Sequence, residues 1–98
     1  MATDSAVRSV TNTLTGTTAD TVTISQLWPA IEVTNHDATT ALYVRQDGTT
    51  AVAEADGTTT IMPSQSKVLA SQVTNTAPTV HTISIVGNSN KYTIEGVA

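Results

Sequence analysis

Through much of the chain, apolar and polar residues alternate one by one, the period of a strand with one buried face. Thr21-Val-Thr-Ile-Ser25 places Val22 and Ile24 on one side and the hydroxyl residues on the other. Ile31-Glu-Val-Thr-Asn35 repeats the pattern, and Ala41-Leu-Tyr-Val-Arg-Gln46 sets Leu42 and Val44 against Tyr43 and Arg45. The polar run from His36 to Thr40 between them predicts a hairpin. Further strands are expected at Thr50–Ala55, Thr58–Met62, Lys67–Ser71, Val80–Val86 and Lys91–Glu95. A short helix over 65–72 is the alternative for the third of these. Asp47-Gly48 and Asp56-Gly57 carry turn chemistry, because glycine accepts the positive φ of a tight hairpin turn. Pro29 and Pro63 stop strands, since proline cannot donate to a ladder.

Seven or eight short strands at spacings of ~8–12 residues predict an all-β domain, a small antiparallel β-sandwich or barrel. No strand alternates with a long helix, which argues against a parallel α/β fold. The expected core is Val22, Ile24, Leu27, Ile31, Val33, Leu42, Val44, Ile61, Val68, Ile83, Ile85 and Ile94, with Trp28 plugging an open end. Residues 1–20 are weakly patterned and are expected to be an extended N-terminal arm with at most one strand. The sandwich domain is then expected over 21–98.

Composition strengthens this picture. Threonine makes up about a fifth of the 98 residues, while phenylalanine is absent. β-Branched side chains fit a pleated surface and lose rotamer freedom in helices. Only 12% of residues are charged and the net charge is −4, with four Lys and Arg in all. Phosphate-backbone binding needs clustered positive charge, so nucleic acid is not an expected direct partner. The sequence contains no cysteine, which excludes disulfides, cysteine-based metal sites and thiol nucleophiles. The N-terminal Met-Ala-Thr-Asp-Ser lacks the basic and apolar regions of a secretory signal, and the starting Met suggests a complete small gene product. No apolar run approaches the ~20 residues of a membrane-spanning helix, so no membrane partner is expected.

The inventory of reactive groups is short. His36 lies in a polar turn beside Asp37, and His81 lies in a strand. A His–Asp–Ser set can be drawn on paper, but no Gly-x-Ser-x-Gly elbow exists, and neighbours on a strand point apart. Both histidines read as exposed. His36, Asp37 and His81 have no ligand spacing for zinc, and the two Asp-Gly turns lack a calcium-loop pattern. Glu32, Glu54 and Glu95 fall on separate segments rather than as a catalytic pair. No catalytic residue, metal or cofactor is expected. Trp28, Tyr43 and Tyr92 are the aromatics available for a sugar-stacking platform. Tyr43 shares its outward face with Arg45, which makes this pair a candidate contact surface. Threonine ladders such as Thr21/Thr23 and Thr82/Ser84 can hydrogen-bond across strands and suit packing against other protein.

The run Ile31-Glu-Val-Thr-Asn35, Leu42-Tyr-Val-Arg45, Asp47-Gly-Thr49, Ile61-Met-Pro63 with Val68, Ile83-Ser-Ile85 and Tyr92-Thr-Ile94 resembles small head decoration, or minor capsid, proteins of tailed bacteriophages. The resemblance covers roughly residues 20–97. It implies an Ig-like or β-tulip sandwich on the outer capsid surface of a virion assembled in the host cytoplasm. It further implies a homo-oligomer, a trimer above all, whose N-terminal arm reaches across the major capsid protein. Val7, Arg8, Val10 and Leu14 of the arm, with Tyr43 and Arg45, would then be the partner contacts. A tail-tube or head–tail joining component and a carbohydrate-binding, adhesin-like module are the alternatives.

Overall fold

The computed structural model describes residues 3–98. Among them nine strands form: β1 (Thr3–Ala6), β2 (Ser9–Thr13), β3 (Asp20–Ile24), β4 (Ala30–Asn35), β5 (Leu42–Arg45), β6 (Thr59–Ile61), β7 (Ser66–Ala70), β8 (His81–Val86) and β9 (Lys91–Val97). No helix is present among the described residues, as the β-branched composition predicts. The strands make two sheets, one ordered β1-β3-β8-β5-β6 and the other β2-β9-β4-β7. The all-β sandwich expected from the alternation is therefore present. Every pairing is antiparallel except β1 on β3, which is parallel.

Inward positions of both sheets supply the core: Val22, Ile24, Ile31, Val33, Leu42, Val44, Ile61, Ile83, Ile85, Tyr92 and Ile94. These are the odd or even members of each alternating run, so the period of two decides which face is buried.

The N-terminal segment departs from expectation. Residues 3–13 are not an arm projecting from the sandwich, because β1 and β2 each extend a different sheet. Val10 and Leu14 are 5% and 3% exposed and belong to the core. The pattern there is weak because β1 and β2 are edge strands, whose outward positions can be Thr, Ser or Asn at little cost. Met1 and Ala2 of the expected arm lie outside the described residues.

Residues 46–58 form turns rather than the expected strand at 50–55. Both Asp-Gly turns form with positive φ at Gly48 and Gly57. The segment between them folds back over the five-stranded sheet instead of pairing with β5. Ala51 donates its N–H to Ser84 Oγ at 2.8 Å and is buried there. Val86, on the same outer face as Ser84, is buried as well.

Two expected core residues, Leu27 and Val68, are 51% and 58% exposed. Leu27 lies in the β3–β4 connection. Val68 is the Cα partner of Glu32, whose side chain is on the outer face of β4, so it points away from the core.

Candidate functional site

The two ends of the sandwich are closed by different chemistry. At one end, buried Asn35 and Asn90 bind the turns together. Asn35 Nδ2 donates to the carbonyls of Thr40 (2.8 Å) and Ile61 (3.2 Å). Asn90 Nδ2 donates to Thr40 O (2.7 Å) and Asn35 Oδ1 (3.1 Å), while the Asn88 N–H donates to Asn90 Oδ1. Amide side chains suit this place because each offers both donors and acceptors to main-chain groups outside the ladders. Asp37 accepts the N–H groups of Thr39 and Thr40, which hold its carboxyl below the usual carboxylate range. His36, exposed as expected, meets Thr93 Oγ1 at 2.8 Å.

At the other end, Trp28 covers the core, as expected of a plug. A Cβ at Gly96 would sit 2.2 Å from Trp28 Cδ1, so the indole lies directly on the glycine. The Arg8 guanidinium lies over the indole ring, 4.8 Å from its centroid. Arg8 Nε donates to Gly96 O, and the Gly96 N–H donates to Arg8 O. Trp28 Nε1 donates to Val7 O at 3.1 Å. Val7 and Leu27 are exposed beside the indole, so this end carries apolar surface and one cation.

His81 belongs to this end and is buried, contrary to the expectation of an exposed strand histidine. The Trp28 main-chain N–H donates to His81 Nε2 at 2.8 Å, which requires that nitrogen to be unprotonated. Nδ1 then carries the proton and lies 3.5 Å from Gln72 O. The ring is thus used to tie two loops to β8.

Tyr92 is also buried, which removes it as a stacking platform. Its hydroxyl donates to Asp20 Oδ2 at 2.9 Å. Burial first, and Asp20 second, push the phenol well above its ordinary value.

Tyr43 and Arg45 lie on β5, half-buried on the outer face of the five-stranded sheet. Arg45 is not a free contact residue. Its Nε and Nη2 bind the Asp47 carboxylate, and Nη1 donates to Asp56 O. It thereby holds residues 46–58 in place. The same contact, with the Thr49 N–H, lowers the Asp47 carboxyl to about 2. Tyr43 has Val86 and Thr60 as its cross-strand partners.

The six expected contact residues are therefore not brought together. Val7 and Arg8 sit at the β1–β2 turn, Val10 and Leu14 in the core, and Tyr43 and Arg45 on β5, with β3 and β8 lying between β1 and β5. The Arg8–Trp28–Gly96 cluster was not foreseen. Its one sequence signal is a glycine at the end of an alternating strand, a mark of close approach.

Recesses open on the surface of the described residues. An apolar one of about 310 Å³ is lined by Ala19, Ala51, Val52 and Val86 among others. A polar one of about 250 Å³ separates β5 and β6 from β7. Gln46 bridges it, donating from Nε2 to Ala70 O and accepting the Gln72 N–H. A third, of about 70 Å³, lies among Thr21, Thr49, Thr82 and Ser84. Among the described residues no three His, Asp or Glu side chains converge as metal ligands. No helix among them is long and apolar enough to cross a membrane. Compared with protein-family models, curated proteins and solved structures, the chain finds no match in any of the three.

Proposed function

We propose that this chain is a non-enzymatic virion structural protein that binds the outer capsid surface and bridges major capsid protein subunits. The observation that carries the reading is how the sheet surfaces are built. Thr21, Thr23, Thr82 and Thr60 put half-buried hydroxyls on the outer faces of β3, β8 and β6, beside the 46–58 segment that covers Ser84, and Arg45 on the same face is already paired to Asp47. Such a face is wetted without charge and loses little on packing against another protein. The buried histidine, tyrosine and asparagines are all engaged in holding loops and strands, which favours a role for surfaces over one for a cleft. The sequence resemblance supplies the setting. Many copies, each bridging neighbours, would stabilise a shell by avidity.

The test is sedimentation of a native lysate of the producing cells through a density gradient, with mass-spectrometric detection of this chain. Migration with DNA-filled particles at the copy number of shell sites supports the proposal. Migration at the low copy number of a ring assigns the chain to the tail or head–tail joint. Retention at the top as a small species refutes the virion setting, and glycan-binding screens then address the adhesin-like alternative.

A further inference from the structure

Each sheet of an open sandwich has two edges, and an edge strand exposes main-chain groups able to pair with another chain. Here the edges are β1 and β6 in one sheet and β2 and β7 in the other. They differ in what guards them. On β1, the Ser5 N–H is taken by Asp4 Oδ1. On β2, the Thr13 N–H is taken by Asn12 Oδ1, and the side chains of Ser9, Thr11 and Thr13 are small and polar. β6 has only three residues. β7 has five, carries no proline, and has Lys67 as its one charge. The Lys67 ammonium is drawn aside to Thr60 O at 3.0 Å.

The phase of β7 follows from one hydrogen bond. The Asn35 N–H donates to Gln65 O, which makes this a hydrogen-bonded pair in the β4–β7 register. Bonded pairs alternate, so Lys67 and Leu69 turn their main-chain groups to β4. Ser66, Val68 and Ala70 turn theirs outward. Ala70 O receives Gln46, but the N–H and C=O of Val68 face away from the sheet, next to a side chain that is 58% exposed.

We propose that two copies of this chain pair edge to edge through β7, antiparallel, about a two-fold axis at Val68. In this register Val68 exchanges both main-chain hydrogen bonds with its copy, and Ser66 faces Ala70 of the other protomer. Lys67 faces Leu69, so its aliphatic stem covers an apolar side chain. A shift that centres the axis on Lys67 would set two ammonium groups opposite each other, which is unfavourable. A shift to Leu69 leaves Ser66 and Lys67 without strand partners. The Val68 register is the one that pairs all five residues and buries the exposed valine. The analogous β2 pairing would bury only polar side chains, since Val10 is already inside. An antiparallel pair of identical strands closes on itself, so the contact gives a dimer and not a trimer. One five-residue strand buries less than a standard interface, so the association is concentration-dependent. The inference does not rest on the capsid proposal.

The absence of cysteine makes single-cysteine variants clean probes. Directly paired antiparallel residues have Cα atoms ~5.5 Å apart, within disulfide range. Under mild oxidation, Val68→Cys is expected to form a covalent dimer. Ser66→Cys mixed with Ala70→Cys should link, whereas neither should link alone. Thr11→Cys on β2 should remain monomeric. The wild-type chain should show a concentration-dependent monomer–dimer equilibrium in sedimentation velocity, which Val68→Lys abolishes. The proposal is overturned if Val68→Cys links no faster than in urea, if Thr11→Cys links with itself or with Val68→Cys instead, or if the wild-type chain sediments as a monomer or trimer throughout.

Discussion

Gly96→Ala adds a single methyl group to a strand, where alanine is ordinarily the better residue by ~0.5–1 kcal/mol. Here the new Cβ would fall 2.2–2.5 Å from three atoms of the Trp28 indole. The ring cannot yield by a few tenths of an ångström and must leave its seat. Forced overpacking costs ~1–3 kcal/mol. The bond from Trp28 Nε1 to Val7 O is worth ~0.5–1.5 kcal/mol. The Arg8–Trp28 stacking adds ~0.5–1 kcal/mol. Offset by the strand preference for alanine, the expected loss is about 1–5 kcal/mol. Urea unfolding measures it, and Trp28 is the one tryptophan, so its native-state emission reports the displacement directly. Emission should shift to the red before unfolding begins. In a Trp28→Ala background the same glycine substitution should cost little, because the clash has been removed. Equal costs in the two backgrounds, or an unshifted native spectrum, would refute the reasoning.

Asn90→Ala should destabilise by ~2–4 kcal/mol in urea, since it strips donors from Thr40 O and Asn35 and an acceptor from Asn88; a loss below ~0.5 kcal/mol would mean water replaces the amide. The raised Tyr92 phenol makes stability pH-dependent on the alkaline side. The unfolded chain ionises first, near the ordinary phenol value of 10.0, so the contribution is complete below that pH and is lost above it. Tyr92→Phe should be less stable at neutral pH and should show a shallower decline between pH ~10 and 11 in denaturation series. Arg45→Ala should raise the Asp47 carboxyl from about 2 toward the ordinary carboxylate value of 3.8 in an NMR titration. It should also speed amide exchange in residues 46–58 while leaving β3 and β8 protected.

The candidate surface was only partly legible from the chain. Tyr43 and Arg45 were visible as an outward pair, because alternation alone assigns them to one face of β5. That Arg45 is occupied by Asp47 and the Asp56 carbonyl depends on the path of a turn-rich segment, which periodicity does not encode. Val10 and Leu14 read as arm residues for a related reason. An edge strand needs few apolar residues, so its sequence resembles a tail until the sheet it joins is known.

What the sequence determined by itself is the local part: extended backbone from β-branched residues, the turns at Asp47-Gly48 and Asp56-Gly57, and the inward face of β3, β4, β5, β8 and β9. These follow from short-range sterics and a period of two. Only the tertiary structure decided which strands are neighbours and which edges remain open. It also decided where His81, Tyr92 and Gly96 find their partners. His81 meets Trp28 across 53 positions and Tyr92 meets Asp20 across 72, and no local rule carries information over such separations. The layers must pack before a strand histidine becomes a loop anchor, a tyrosine becomes core, or a glycine becomes the floor beneath an indole.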